Sequence, residues 1–227
     1  MAYRVAYRVA YRVRQGLCNL ALSTIVLTGA AAAEPITIVA LGDSLTAGYG
    51  LPGNQGLVPQ LQAWLAAQGS DAVVVNAGVS GDTTAGGLAR LGWSLTPGAD
   101  ALIVELGAND MLRGIDPGVP RRNLDAILRQ AADRGLPVLL IGVPALRNYG
   151  PEYRTAFDAI YPDLSAQYGT LLMPDFFGPL RSETDPTASL ARYFQPDGLH
   201  PNEDGVAEVV KDLGPYVEAL ITRVSPP

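Results

Sequence analysis

From Ile36 onward the sequence alternates short, continuous apolar runs with longer stretches whose apolar residues recur every three or four positions. The first kind of pattern fits a strand buried on both faces, the second a helix with one apolar face. Ile36–Leu41, Ala72–Val75, Ala101–Leu106, Val138–Gly142 and the short Leu171–Met173 predict five strands. Between the strands, Gln55–Gln68 places Leu57, Leu61, Trp64 and Leu65 at helical spacing, with Gly69 as a stop. Thr83–Leu91 and Pro120–Arg134 predict two further helices, and Glu152–Tyr168 carries Tyr153, Phe157, Ile160 and Leu164 on one face. A last helix begins near Glu203, and Gly214-Pro215 is expected to break or kink it. Strands joined through helices run parallel and need cover on both faces. The pattern therefore predicts an α/β fold, a three-layer αβα sandwich around a mostly parallel sheet of about five strands.

The first 33 residues stand apart from this pattern. They carry Arg4, Arg8, Arg12 and Arg14 with no acid, then an apolar run from Leu17 that ends in Ala31-Ala32-Ala33. The threefold Ala-Tyr-Arg-Val at residues 2–13 is too short for a repeat architecture and reads as an extension of the basic start or as the product of a misplaced start codon. A basic start, an apolar middle and an Ala-x-Ala end are the parts of a secretory signal peptide. The run is short for a membrane span of about 20 apolar residues, and no polar tether follows it. Cleavage after Ala33 is expected, giving a domain of residues 34–227 in the periplasm or outside the cell. Cys18, the one cysteine, leaves with the leader, so a disulfide is excluded from the mature chain. Four of the 16 basic residues leave too, and 12 remain against 22 acidic ones, a net charge of −10. That balance argues against a nucleic-acid partner. One histidine and no cysteine argue against a zinc site.

In an open parallel sheet, ligands bind beyond the carboxyl ends of the strands. The polar and glycine-rich clusters fall there. Gly42-Asp43-Ser44 follows the first strand, Asn76 to Asp82 the second, and Gly107-Ala108-Asn109-Asp110 the third. The lone histidine, His200, lies in Asp197-Gly198-Leu199-His200-Pro201. Taken singly, each residue has a plainer reading: a structural histidine, a serine in a turn, a helix-capping asparagine. Together they supply the parts of acyl transfer. A serine hydroxyl needs a base to take its proton, and imidazole is the side chain whose ordinary pKa suits that near neutrality. Asp197, three residues before His200, is placed to hold the ring tautomer. Ser44, Asp197 and His200 then form nucleophile, orienter and base. The backbone N–H groups of Ser44 and Gly81 and the side-chain amide of Asn109 are the candidate oxyanion donors. The G-x-S-x-G elbow is absent, because Thr46 stands two residues after Ser44.

Gly-Asp-Ser-Leu at 42–45, Ser80-Gly81-Asp82, Gly107-Ala108-Asn109-Asp110 and Asp197-Gly198-Leu199-His200-Pro201-Asn202 stand in the order of the four blocks of the SGNH, or GDSL, hydrolases. The chain resembles that family over essentially the whole of residues 34–227. Asn76–Asp82, Gly87–Leu91, Val104–Gly107, Asn148-Tyr149-Gly150 and Ala159–Pro162 are similar to its small periplasmic thioesterase–lysophospholipase–arylesterase subgroup. The resemblance implies a flavodoxin-like sheet and a cofactor-free esterase or thioesterase acting on small acyl substrates. It also implies Ser44 as nucleophile, Asp197 and His200 as its partners, and Gly81 and Asn109 as oxyanion donors. Val143–Asn148 is less like the subgroup, so the preferred acyl length stays open.

Met111, Leu112 and Ile115 follow the Asn109 block in a segment that reads as a loop, with Gly114 as a hinge. They are expected to border the acyl chain and to move on binding, the alternative being that they pack beneath the loop. A carbohydrate O-acetyl esterase would use the same parts. A non-catalytic binding module and a metal-dependent hydrolase are the remaining readings. The expectation is a monomer without cofactor, metal or lasting membrane anchor.

Overall fold

The computed structural model describes residues 34–95, 97–181 and 184–224. The expected signal segment lies outside them. Five strands, β1 (Thr37–Gly42), β2 (Val73–Gly78), β3 (Ala101–Glu105), β4 (Val138–Ile141) and β5 (Leu171–Met173), form one sheet in the order β2-β1-β3-β4-β5. Every neighbouring pair is parallel. This is the flavodoxin-like order, in which the chain runs from β1 to one side and then returns to the other.

The two-residue period of a strand sorts the side chains into two cores. Ile38, Ala40, Ala101, Ile103, Leu139, Ile141 and Met173 face a layer made by α2 (Leu57–Ala67) and α9 (Glu203–Ile221). Val39, Leu41, Leu102, Val104, Val138 and Leu140 face α3 (Thr84–Ser94), α5 (Gly118–Asp133), α6 (Pro151–Asp158) and α7 (Ile160–Tyr168). β1, β3 and β4 are buried almost throughout, whereas the edge strands β2 and β5 are partly exposed. The three-layer sandwich predicted from the alternation is the fold observed.

Three helices were not apparent in the pattern: α1 (Ser44–Ala47), α4 (Ala108–Leu112) and α8 (Pro186–Tyr193). The first two are too short to show a period. The third had a local signal, because Asp185 caps Ala188 N–H at 2.9 Å and Pro186 opens the first turn. The single helix expected over 152–168 is two. Pro162 cannot donate to the carbonyl of Asp158 and its ring crowds it, so the helix ends there and restarts at Ile160. The break expected at Gly214-Pro215 does not occur, and α9 continues through Pro215. Gly214 leaves room for the Trp64 ring, which would lie 2.6 Å from an added Cβ, and packing along the whole of α9 outweighs one missing backbone bond. Among the described residues no helix is long and apolar enough to cross a membrane.

Arg90 ties the strand ends together beneath the rim. Its guanidinium donates to the carbonyls of Gly42 (2.8 Å) and Ala77 (2.6 Å) and pairs with Asp82 at 2.6 Å. Arg90→Leu removes the donor to the Ala77 carbonyl and to Asp82 and leaves the Gly42 carbonyl with the Val79 N–H alone. It is expected to cost about 2–3 kcal/mol in urea unfolding. A midpoint within error of wild type would show that water replaces the guanidinium without loss.

Candidate active site

β1 and β3 are neighbours at the point where the strand order reverses, so the chain leaving each opens onto the same crevice. The rim is tight. An added Cβ at Gly78, the last residue of β2, would lie 2.3 Å from Ala47 N, so only glycine lets β2 end against α1. Asp43 turns the chain out of β1 and caps α1 by accepting Leu45 N–H at 3.0 Å. Ser44 is the first residue of that helix.

His200 approaches Ser44 from the loop between α8 and α9. Its Nε2 lies 2.9 Å from Ser44 Oγ, and its Nδ1 lies 2.6 Å from Asp197 Oδ2. Asp197 Oδ1 accepts the backbone N–H groups of Leu199 (2.9 Å) and His200 (3.0 Å). Burial raises the Asp197 carboxyl, but the hydrogen bonds from the ring and from these two N–H groups outweigh it and hold it at about 2. Asp197 is therefore anionic wherever the protein would work. Nδ1 then carries the proton and Nε2 is left as an acceptor for the Ser44 hydroxyl.

The loop has its own fastenings. Phe194 and Pro201 form an antiparallel bridge across its base. Gln195 Nε2 donates to the carbonyls of Tyr49 (2.8 Å) and Pro201 (2.9 Å), linking the serine loop to the histidine loop across 146 residues of sequence. The Tyr49 ring rests on the imidazole with centroids 4.6 Å apart.

Asn109 sits in α4, directly after β3, where Gly107 adopts φ +122° to start the helix. Its Nδ2 donates to Asp43 Oδ2 at 3.0 Å. Gly81, at φ +85°, has its carbonyl held by Arg113 Nη2 at 2.7 Å. Beneath Asn109, Asp43 and Glu105 are both fully buried. Glu105 Oε2 accepts Thr46 Oγ1 at 2.9 Å and Asp43 N–H at 3.4 Å. Burial pushes the Asp43 carboxyl up to about 6, and burial with the neighbouring Asp43 charge drives Glu105 well above its ordinary value.

Ser44, Asn109 and His200 line one cavity of about 360 Å³. The rest of its wall is largely apolar and includes Met111, Leu112, Leu146, Phe177, Phe194 and Leu199. Gly81 and Ile115 are not part of this wall. The segment expected to be a loop places Met111 and Leu112 in α4, while Ile115 is half-buried beyond it, with its carbonyl accepting Tyr153 OH at 3.0 Å. Among the described residues no group of three or more His, Cys, Asp or Glu side chains could hold a metal.

Sequence reasoning did not reach Asp43, Glu105, Tyr49, Gln195 and Arg113 as neighbours of the site. Asp43 lies within Gly42–Leu45 and Glu105 within Val104–Gly107, and two acids at the ends of adjacent strands were a readable sign. The contacts of Tyr49 and Gln195 depend on loops that no period describes.

A family model for the GDSL-like lipase/acylhydrolases matches residues 40–207. Esterase TesA of Pseudomonas aeruginosa is 39% identical over 210 residues, which cover 92% of this chain and all of that protein. Thioesterase 1/protease 1/lysophospholipase L1 of Escherichia coli K12 is 34% identical over 206 residues, 90% of this chain and 93% of that one. The crystal structure of the psychrotrophic esterase EstA from Pseudoalteromonas sp., inhibited by monoethylphosphonate, superposes with a TM-score of 0.74. It is 31% identical and covers 82% of this chain and 98% of its own. With a family match over most of its length and relatives similar nearly end to end, the chain belongs to the GDSL-like lipase/acylhydrolase family.

Proposed function

We propose that the chain is an exported serine hydrolase that cleaves carboxylic ester and thioester bonds of acyl substrates. One observation carries the reading: Ser44 Oγ, His200 and Asp197 lie in an unbroken hydrogen-bonded line at the wall of an apolar cavity. In this mechanism Ser44 Oγ attacks the acyl carbon and its proton passes to His200 Nε2. The carbonyl electron pair moves onto oxygen, which the N–H groups of Ser44 and Gly81 and the Asn109 amide receive. The tetrahedral species collapses to an acyl-enzyme and expels the alcohol or thiol, which takes the proton from His200. Water, deprotonated by the same ring, then releases the acid and restores Ser44. Asp197 stays anionic and stabilises the imidazolium.

Relatives named esterase, thioesterase and lysophospholipase support acyl esters and thioesters as the substrate class. The apolar wall favours an acyl chain over an acetylated sugar. Export to the periplasm or beyond, with cleavage after Ala33, rests on the leader pattern and is checked by the intact mass of the exported protein.

A panel of p-nitrophenyl esters from two to sixteen carbons, with an acyl-CoA, a lysophospholipid and an acetylated xylan, tests the reading. Turnover of acyl esters that persists in EDTA is expected. Turnover confined to the acetylated sugar would favour the O-acetyl esterase, and none at all would favour a binding module. The same panel tests the cavity wall. Leu112→Ala is expected to lower the long-chain rate more than the short-chain rate by several-fold, since about 0.8 kcal/mol is lost per unburied methylene. Ile115→Ala should leave the ratio in place. Equal falls at all lengths for Leu112→Ala would show that it only packs the helix.

A further inference from the structure

Two acids lie side by side beneath Asn109, and among the described residues neither carboxyl has a basic side chain as its hydrogen-bond partner. Asp43 and Glu105 are both fully enclosed. Two bare charges there would repel each other in a medium that screens poorly. Glu105 Oε2 already accepts from Thr46 and from Asp43 N–H, while Glu105 Oε1 meets no donor among the described residues. A buried oxygen with no donor is costly as part of a carboxylate. A proton on Glu105 turns it into a donor, and Asp43, whose backbone N–H already reaches Glu105 Oε2 and which is buried next to it at the end of the neighbouring strand, carries the nearest carboxylate to accept it. Asp43 in turn accepts one donor on each carboxyl oxygen, Leu45 N–H on Oδ1 and Asn109 Nδ2 on Oδ2, both at 3.0 Å, and such bonds favour the ionised form.

We infer that Asp43 and Glu105 share one proton, held on Glu105, and that the resulting Asp43 carboxylate is the positioning residue that fixes the Asn109 amide. An amide nitrogen has two hydrogens at a fixed planar angle. Once one is given to Asp43, the direction of the other is set, and Asn109 lines the cavity. The inference rests on the proposed role of Asn109, but the shared proton does not depend on catalysis.

Other charged groups around the pair have partners of their own. From α3, Arg90 holds the Gly42 and Ala77 carbonyls and Asp82. From α4, Asp110 accepts Thr84 N–H (2.8 Å) and Thr84 Oγ1 (2.7 Å). From α7, Tyr161 donates to the Leu106 carbonyl. His200, on the loop before α9, is taken up by Asp197 and Ser44. α2, β2 and β4 bring no ionisable side chain.

Both carboxyls bind protons more tightly folded than unfolded. Between the ordinary carboxylate range and the raised values, the folded chain holds protons that the unfolded chain releases, so this pair makes stability fall as pH rises. Below about 6, Asp43 takes up a proton of its own and stops serving as the carboxylate that Asn109 needs.

The test uses the protein and three variants. Glu105→Gln supplies one donor and one acceptor permanently, and Glu105→Leu supplies neither. The fall in Tm from pH 6 to pH 9 should be smaller in Glu105→Gln than in wild type, and Glu105→Leu should lose roughly tenfold more kcat than Glu105→Gln. Asp43→Asn should lower kcat about 10- to 100-fold with KM within a few-fold. Its ratio of pH 5 to pH 8 activity should rise by roughly tenfold, because one ionisation leaves the acid limb. An unchanged Tm slope in Glu105→Gln would overturn the shared proton. A wild-type kcat in folded Asp43→Asn would overturn the positioning role. If the wild-type chain hydrolyses no ester, the proposed function fails while the Tm comparison still decides the shared proton.

Discussion

Ser44→Ala is expected to lower kcat by about 10⁴- to 10⁶-fold on a p-nitrophenyl ester, with the fold and Tm close to wild type. The size follows from what the substitution removes. His200 Nε2 has the Ser44 hydroxyl at 2.9 Å, and without that oxygen no bond forms to the acyl carbon. What is left is water attack, helped only by the oxyanion donors and by binding. His200→Ala should fall in the same range, since an unassisted hydroxyl is a poor nucleophile. The double variant should be little worse than either single one, because the two side chains act as a unit. Losses that multiplied in the double variant would mean that they serve separate steps. A Ser44→Ala protein retaining a tenth of wild-type turnover would place the chemistry elsewhere.

The second large effect is at Asn109. Its amide is expected to bind the oxygen on which charge develops, not the ground-state carbonyl, so it lowers the barrier without improving affinity. Losing one such donor costs about 10²–10³ in kcat, roughly 2.7–4 kcal/mol. Asn109→Ala should show that loss with KM within a few-fold. Asn109→Asp should be at least as damaging. It puts an acceptor where donors are needed, and it sets a second carboxyl against Asp43 Oδ2, now 3.0 Å from the amide nitrogen. A carboxyl there would also be destabilising, because Asp43 is already buried beside Glu105. If Asn109→Asp kept wild-type kcat while folded by circular dichroism, Asn109 would be a structural cap and Gly81 and Ser44 would have to serve the oxyanion alone.

The layers of this fold were legible because burial on both faces writes itself into β1, β3 and β4 as unbroken apolar runs, and because α2, α5 and α9 each bury one long stripe. The strand ends then told where Ser44 and Asn109 would meet, since both follow neighbouring central strands. Less of the detail could be read. α1 and α4 hold four and five residues, shorter than two turns, so no period identifies them. That is why Met111 and Leu112 read as loop residues, and why Ile115 was grouped with them although it lies past the end of the helix. Pro162 and Pro215 look alike in sequence, yet one ends a helix and the other does not. The difference lies in packing: Gly214 seats Trp64 within a long buried face, whereas α6 and α7 are short. The buried pair of Asp43 and Glu105 depends on the register that sets Gly42 beside Glu105, which only the sheet supplies.

The most direct measurement is the mass of the protein after reaction with a p-nitrophenyl alkylphosphonate, followed by peptide mapping. The phosphorus centre accepts the same attack as an acyl carbon but forms an ester that His200 cannot readily clear. A relative of known structure was captured inhibited by monoethylphosphonate. One phosphonyl group per chain, on Ser44, released with one equivalent of p-nitrophenol and absent from Ser44→Ala and strongly slowed in His200→Ala, is the result predicted here. Hydrolysis of acyl esters by a chain that takes up no phosphonyl group, or takes it up on another residue, would contradict Ser44 as the nucleophile.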